Sequence, residues 1–250
     1  MLWSLARRIA GWLARRGYIH NNFVTFATGY EPPVSYAAEG ACFPRRTARR
    51  IAIQDNEAPF KHIDKGIDQH KLVFKKATEL MKAIVLSPVP VIAKVNGFAT
   101  AAGCQLVATC DMIVCSDTSK FSTPGANFGI FCSTPGIAVG RSVPKSQAMY
   151  MLLTGEPLTA QQAYESGLVT KVVPANQLDE EVNKIVEKIK LKSRSVIGLG
   201  KQFYYKQIEL GIFDAYKLGE EIMVKNINAD DGQEGIRSFV EKRKANWSHT

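Results

Sequence analysis

The chain has 250 residues, 46% of them hydrophobic and 22% charged, which suits one substantial buried core rather than a disordered or fibrous chain. Its net charge of +9 would fit a nucleic-acid partner, but residues 1–50 carry +6 of it, through eight arginines against Glu31 and Glu39, and leave +3 for the other 200. No apolar run approaches the roughly 18 residues of a membrane span, and the scattered cysteines (42, 104, 110, 115, 132) and histidines (20, 62, 70, 249) give neither a disulfide frame nor a metal-ligand spacing.

In chain order, residues 1–33 are Arg-rich and presequence-like. Laid on a helix, Leu2, Leu5, Ile9, Trp12 and Leu13 fall on one side and Arg7, Arg8 and Arg15 on the other, and no acid occurs before Glu31. That pattern predicts a mitochondrial transit peptide and delivery to the matrix, with an exposed surface helix as the alternative. Residues 34–190 read as an α/β core, irregular over 44–67. Residues 191–250 read as a helical C-terminal region.

Beyond Asp68, Val73, Ala77, Leu80, Met81 and Ile84 recur at helical spacing and Pro88 closes the segment. Val91 to Val95 is a β-branched run, Asn96-Gly97 a turn pair, and Ala99 to Thr109 a small-residue helix. Two strand-like segments follow within residues 112–131. Helical pieces split by Pro144 come next, then a helix N-capped by Thr159 and stopped by Gly167. Val169 to Val173 is a short strand. Leu178, Val182, Ile185, Val186 and Ile189 mark an amphipathic helix, and further helices start near Ser195, Ile212 and Asp231, the last running to the end. The lysines along these helices suit solvated faces.

The unit from Val91 to Thr109 carries the chemistry. A helix entered through Ala101-Ala102-Gly103 has no bulk near its first N–H groups, so an anionic oxygen can approach them and the positive helix end. That is the geometry of an oxyanion hole. The same small residues equally suit close packing of a helix on a strand.

The ordered string VNGFATAAG, CD before a strand, FSTPG, LTGEPLTAQQAYESGLV and FVEKRKANW resembles the crotonase superfamily, the enoyl-CoA hydratases and isomerases, from about Asp68 to Trp247. The resemblance implies an α/β ββα spiral with a helical C-terminal region, an acyl-CoA thioester as ligand or substrate with no bound cofactor and no metal, a role in mitochondrial fatty-acid and lipid metabolism, lyase-type chemistry, and a homotrimer or higher assembly.

It also assigns residues. Ala102 falls on the second oxyanion donor, the first glutamate position is occupied by Gln105 and the second by Gly125, and Phe239 and Lys242 fall where the closing helix covers the acyl chain and reaches the nucleotide. A core aromatic and a surface lysine are their bland alternatives. Gln105 cannot take a proton and Gly125 has no side chain, so classical hydratase activity is not expected. Cys132, Ser133 and Thr134 are polar neighbours with packing or capping roles at least as apt. Around Ala37-Ala38-Glu39-Gly40-Ala41-Cys42-Phe43 the family pattern starts, but Pro44 to Arg50 replaces the first oxyanion loop, with Arg45 at its donor, Arg46 where Gly is expected and Ala48 where Asp is expected. The opening strand-helix unit is therefore truncated, spliced or out of frame. Three classes follow: an acyl-CoA enzyme without hydratase chemistry, a catalytically dead acyl-CoA binder or oligomer partner, and, most remotely, a basic nucleic-acid-binding protein.

Overall fold

The computed structural model describes residues 66–250 and, as backbone alone, the strands Ile19–His20 (β1) and Phe23–Thr28 (β2). The amphipathic stretch of residues 1–16, the loop at 44–50, Cys42, and the histidines before His70 other than the backbone of His20 lie outside the described residues. No strand is expected within residues 1–33 from the sequence, yet β2 runs parallel to Val91–Val95 (β3), with Val24 opposite Val91 and Thr28 opposite Val95. Its Phe23-Val24-Thr25-Phe26 run has the β-branched and aromatic content that a strand accepts.

Helix α1 (Gly66–Val85) carries the expected stripe and buries Ile84. It hands over to β3, which is buried along its whole length and takes the centre of a five-stranded sheet with Met112–Ser116 (β5) on its other side and Lys171–Val173 (β8) beyond. A parallel strand buried on both faces reads as an apolar run, and Val91-Ile92-Ala93 and Ile113-Val114-Cys115 are such runs. Lys94 is the exception. Its ammonium is buried and pairs with Asp179 at the start of Leu178–Lys190 (α6), a helix with acids in its first turn and lysines in its last, as the helix dipole favours.

The sequence predicts helix from Ala99, and the structure corrects this. Phe98–Thr100 is a strand (β4), because it finds a parallel partner in Lys120–Ser122 (β6), and the helix α2 begins only at Ala102 and ends at Thr109. Leu158–Thr159 (β7) completes this second, three-stranded sheet. The pairs β3/β4 and β5/β6 thus each send their first member to the large sheet and their second to the small one, and the core of Val95, Leu106, Val107, Phe121, Val139 and Met151 fills the space around them. This is the expected α/β spiral.

Ser133–Ser142 (α3) packs on α2, and Lys145–Thr154 (α4) follows. Thr159 caps Ala160–Glu165 (α5) through a full capping box with Gln162, as the TAQQ wording predicts. The C-terminal region is Arg194–Gln207 (α7), Ile212–Ile227 (α8) and Asp230–Val240 (α9). The last helix does not run to the end. Asp231 is buried and accepts from Ser193 Oγ, Ser248 N and Oγ and His249 N, so the final residues fold back onto the start of α7 rather than extend α9. Burial pushes the Asp231 carboxyl up, but these donors prevail and hold it down at about 2.

Candidate functional site

The site is set at the corner between β3 and α2. Gly97 has φ +115, a conformation open to glycine, and its N–H donates to Ser119 Oγ at 3.2 Å while Ser119 Oγ donates to Val95 O at 3.1 Å. Lys120 N donates to Gly97 O at 3.1 Å. The turn is thus held from the β5–β6 connection. The Gly97 N–H and carbonyl are both paired, so this residue is rigid support.

At the far side of β4, Ala101 stands at φ 48, ψ −115, a conformation that a residue with a Cβ rarely adopts. Its N–H donates to Ser122 O at 3.0 Å and its carbonyl accepts from Gln105 N at 2.9 Å. The backbone is thereby turned so that α2 opens directly with Ala102, which is exposed. Among the described residues the structure supplies no acceptor for the Ala102 N–H and no side chain caps α2. An unpaired N–H at a helix start, reached through a strained residue, is a donor open to an acceptor from outside the helix. Sequence reasoning identifies Ala102 but not the strain at Ala101, since alanine carries no positive-φ signal.

The carboxylate positions look different. Gln105 lies one turn further along α2, is 8% exposed, and its side chain has no hydrogen-bond partner among the described residues. Gly125 lies in the 3₁₀ turn Pro124–Phe128, three residues beyond the Ser122 that holds Ala101. The position is sealed. A Cβ added there would stand 2.2 Å from Ile130 O and 2.7 Å from Cys132 Sγ, and the Gly125 N–H already donates to that sulfur at 3.2 Å. Loop 125–132 therefore closes over the place where the resemblance calls for a carboxylate. Nor is Cys132 a replacement base, because burial pushes its thiol up and outweighs the Gly125 N–H that lowers it. Cys104, fully buried beside it, is pushed up to about 12, first by burial and then by Cys132. Ser133 and Thr134 start α3, where Ser133 Oγ bonds locally to Phe131 O. The buried Thr123 hydroxyl has no partner among the described residues.

Phe239 stands on α9 with 84% exposure, and Lys242 follows that helix at φ 52. Helix α9 packs on α7 and α8, and no hydrogen bond or ion pair among the described residues joins Phe239 or Lys242 to Ala102, Gln105 or Gly125. One chain thus brings Ala102, Gln105, Gly125 and Cys132 to one corner and leaves the two C-terminal residues on the helical region. Among the described residues no group of three or more His, Cys, Asp or Glu is placed to hold a metal.

A two-sheet ββα spiral whose corner presents a free N–H at a small-residue helix start defines the class of crotonase-fold proteins. The family model described as "Enoyl-CoA hydratase/isomerase" matches residues 59–250, and the chain belongs to that family. It is 54% identical over 185 residues to "Enoyl-CoA hydratase domain-containing protein 3, mitochondrial" of Xenopus laevis, covering 74% of this chain and 63% of that protein. The protein of the same name in Homo sapiens is 52% identical over 186 residues, with 74% and 61% covered. The chain thus spans about three-fifths of these relatives' length. Among solved structures, human enoyl coenzyme A hydratase domain-containing protein 3 superposes with a TM-score of 0.79 at 43% identity, covering 98% of this chain and 88% of that one. An enoyl-CoA hydratase of Mycobacterium smegmatis gives 0.77 at 36%, covering 100% and 88%.

Proposed function

We propose that this chain binds acyl-CoA thioesters at the start of α2 without hydrating them. The observation that carries the reading is the unpaired Ala102 N–H behind the strained Ala101. A thioester carbonyl placed there accepts a fixed donor, and such a donor contributes about 3 to 4 kcal/mol where charge develops on the oxygen. Hydration needs a group to deprotonate water and one to deliver a proton, and Gln105 and the sealed Gly125 supply neither. The ligand is coenzyme A thioester in mitochondrial lipid metabolism, in keeping with the names of the relatives, and the matrix is the proposed location on the acid-free arginine amphipath of residues 1–16.

The acting form is a homotrimer or larger assembly of this chain. Helix α8 exposes Phe213, Tyr216, Met223 and Val224, and a groove of about 850 Å³ lies between α7 and α8. An apolar surface of this extent suits a second copy. Phe239 and Lys242 contribute to coenzyme A binding from this helical region.

Calorimetric titration with butyryl-CoA tests the reading. The parental chain is expected to bind, and Ala102→Pro, which deletes the proposed donor, is expected to lose at least tenfold in affinity with the circular dichroism spectrum retained. Unchanged affinity in a folded Ala102→Pro variant would remove Ala102 from the site.

A further inference from the structure

The unit from β3 to α2 has two ends. One is the corner at Gly97–Ala102. The other is its closure, about 16 Å back along five strand residues and about 12 Å along the eight residues of α2. There Asp111 N donates to Val91 O at 2.9 Å and Val91 N donates to Asp111 Oδ2 at 2.6 Å, so residues twenty apart are tied backbone to backbone and backbone to side chain. Helix α7 then reaches in. Lys201 Nζ donates to Asp111 Oδ2 at 2.7 Å and to the carbonyls of Ile84 and Val89, each at 3.0 Å, and Tyr205 OH donates to Asp111 Oδ1 at 2.9 Å. The Lys201 and Asp111 side chains are 7% and 15% exposed, and all three ammonium protons are used.

A buried lysine with three oxygens around it is more than α7 needs for docking. An apolar side chain of the same length would pack there without the cost of taking an ammonium out of water. What the lysine does is bind three segments at one point: the end of α1, the entry to β3 and, through Asp111, the exit from α2. The corner needs such restraint. Among the described residues Ala101 is held at positive φ by the Ser122 carbonyl and the first turn of α2, and a strained conformation persists where its surroundings over-determine it.

We propose that Lys201 is a positioning residue for the Ala102 donor: acting through Asp111, with Tyr205 as its support, it closes the strand-turn-helix unit at its far end and thereby keeps Ala101 turned and the Ala102 N–H presented to the ligand. The inference deepens the acyl-CoA reading and rests on it for its binding arm.

The test uses the full chain, with Lys201→Met/Asp111→Asn, which leaves no unpaired charge, and Tyr205→Phe as the milder variant. Two readouts are taken: butyryl-CoA affinity, and amide hydrogen exchange of the peptide spanning residues 98–106 without ligand. The double substitution is expected to weaken butyryl-CoA at least tenfold and to speed exchange at the Ala101 and Gln105 amides, while peptides of α6 and α9 exchange as before. Tyr205→Phe should move both in the same direction by about threefold. Adding Ala101→Gly, which removes the cost of positive φ, should recover most of the lost affinity. A merely structural lysine would lower global stability without this local pattern and without rescue by glycine. Parental exchange at Ala101 and Gln105 in the variants overturns the proposal, as does a loss of affinity that Ala101→Gly leaves untouched. If the parental chain binds no butyryl-CoA, the functional reading falls, and the exchange data alone decide whether Lys201 positions the corner.

Discussion

The two halves of the proposed site, the start of α2 and the turn around Gly125, differ in what they keep. At the start of α2 the backbone keeps its strained turn at Ala101, its free donor at Ala102 and a paired scaffold of Gly97, Ser119 and Ser122. Around Gly125 the side-chain chemistry is absent and the space is filled by Ile130 O and Cys132 Sγ. A backbone donor survives replacement of glycine by alanine, because every residue but proline carries the N–H. A carboxylate has no such tolerance. A site built half from backbone and half from side chains loses its halves independently, and recognition of the thioester can outlast the chemistry performed on it.

The largest expected effect tests that separation directly. With neither acid nor base in place, crotonyl-CoA hydration by the purified chain should lie at least ~10⁴-fold below that of a hydratase with both glutamates, read by the loss of the enoyl absorbance. Turnover within tenfold of such an enzyme would mean the two halves had not separated. Restoring the letters should not restore the reaction. Gln105→Glu with Gly125→Glu should remain inactive, and Gly125→Glu should lower stability by about 3 kcal/mol in urea unfolding, since loop 125–132 must shift to admit the side chain.

A smaller effect is expected one layer out. Gly155 caps α4 at φ +69, and a Cβ there would stand 3.0 Å from Pro124 Cα and 2.8 Å from Asn127 Nδ2. The glycine of the LTGEP wording therefore seats the turn that carries Gly125. Gly155→Ala should cost about 1 to 2 kcal/mol through the positive φ and the contact with Pro124, while butyryl-CoA affinity stays within about threefold because the Ala102 half does not depend on that turn. A parallel loss of affinity would show the halves to be one mechanical unit.

Much of this was legible in the residues. The strand at Val91, the turn at Asn96-Gly97, the capped helix after Thr159 and the amphipathic α6 all follow from local pattern, because in each the periodicity or cap lies within a few neighbours. Phe98–Thr100 was not, since its strand state is decided by Lys120–Ser122 twenty-two residues away. Ala102, Gln105 and Gly125 were assigned by resemblance. The strain at Ala101, the sealing of Gly125 by a thiol and the clamp of Asp111, Lys201 and Tyr205 were not, because each depends on which distant groups the fold brings together. Lys201 in the sequence is one lysine among those of a solvated helix face.

The smallest expected effect concerns Cys132, and it bears on whether the closed half keeps any reactivity of its own. The sulfur accepts one hydrogen bond, from Gly125 N, and Cys132→Ala should cost only about 1 kcal/mol for that bond and the lost packing. It should not make Gly125→Glu tolerable, because the nearer obstacle is the Ile130 carbonyl, which the substitution leaves in place. Burial raises the thiol above its ordinary range, so it is protonated and neutral through neutral pH, and thiolate appears only at higher pH than for a free cysteine. Two consequences can be measured in a variant with Cys42 replaced by serine. Modification of the native protein by a soluble aromatic disulfide at pH 7.5 should be slow at Cys132 and slower at Cys104, and should become fast on unfolding. Butyryl-CoA affinity should show no inflection between pH 6 and 8 that Cys132→Ala removes. A fast native reaction at Cys132, or such an inflection, would place an ionised sulfur in the loop and give the closed half a nucleophile or base that its buried, neutral thiol does not provide.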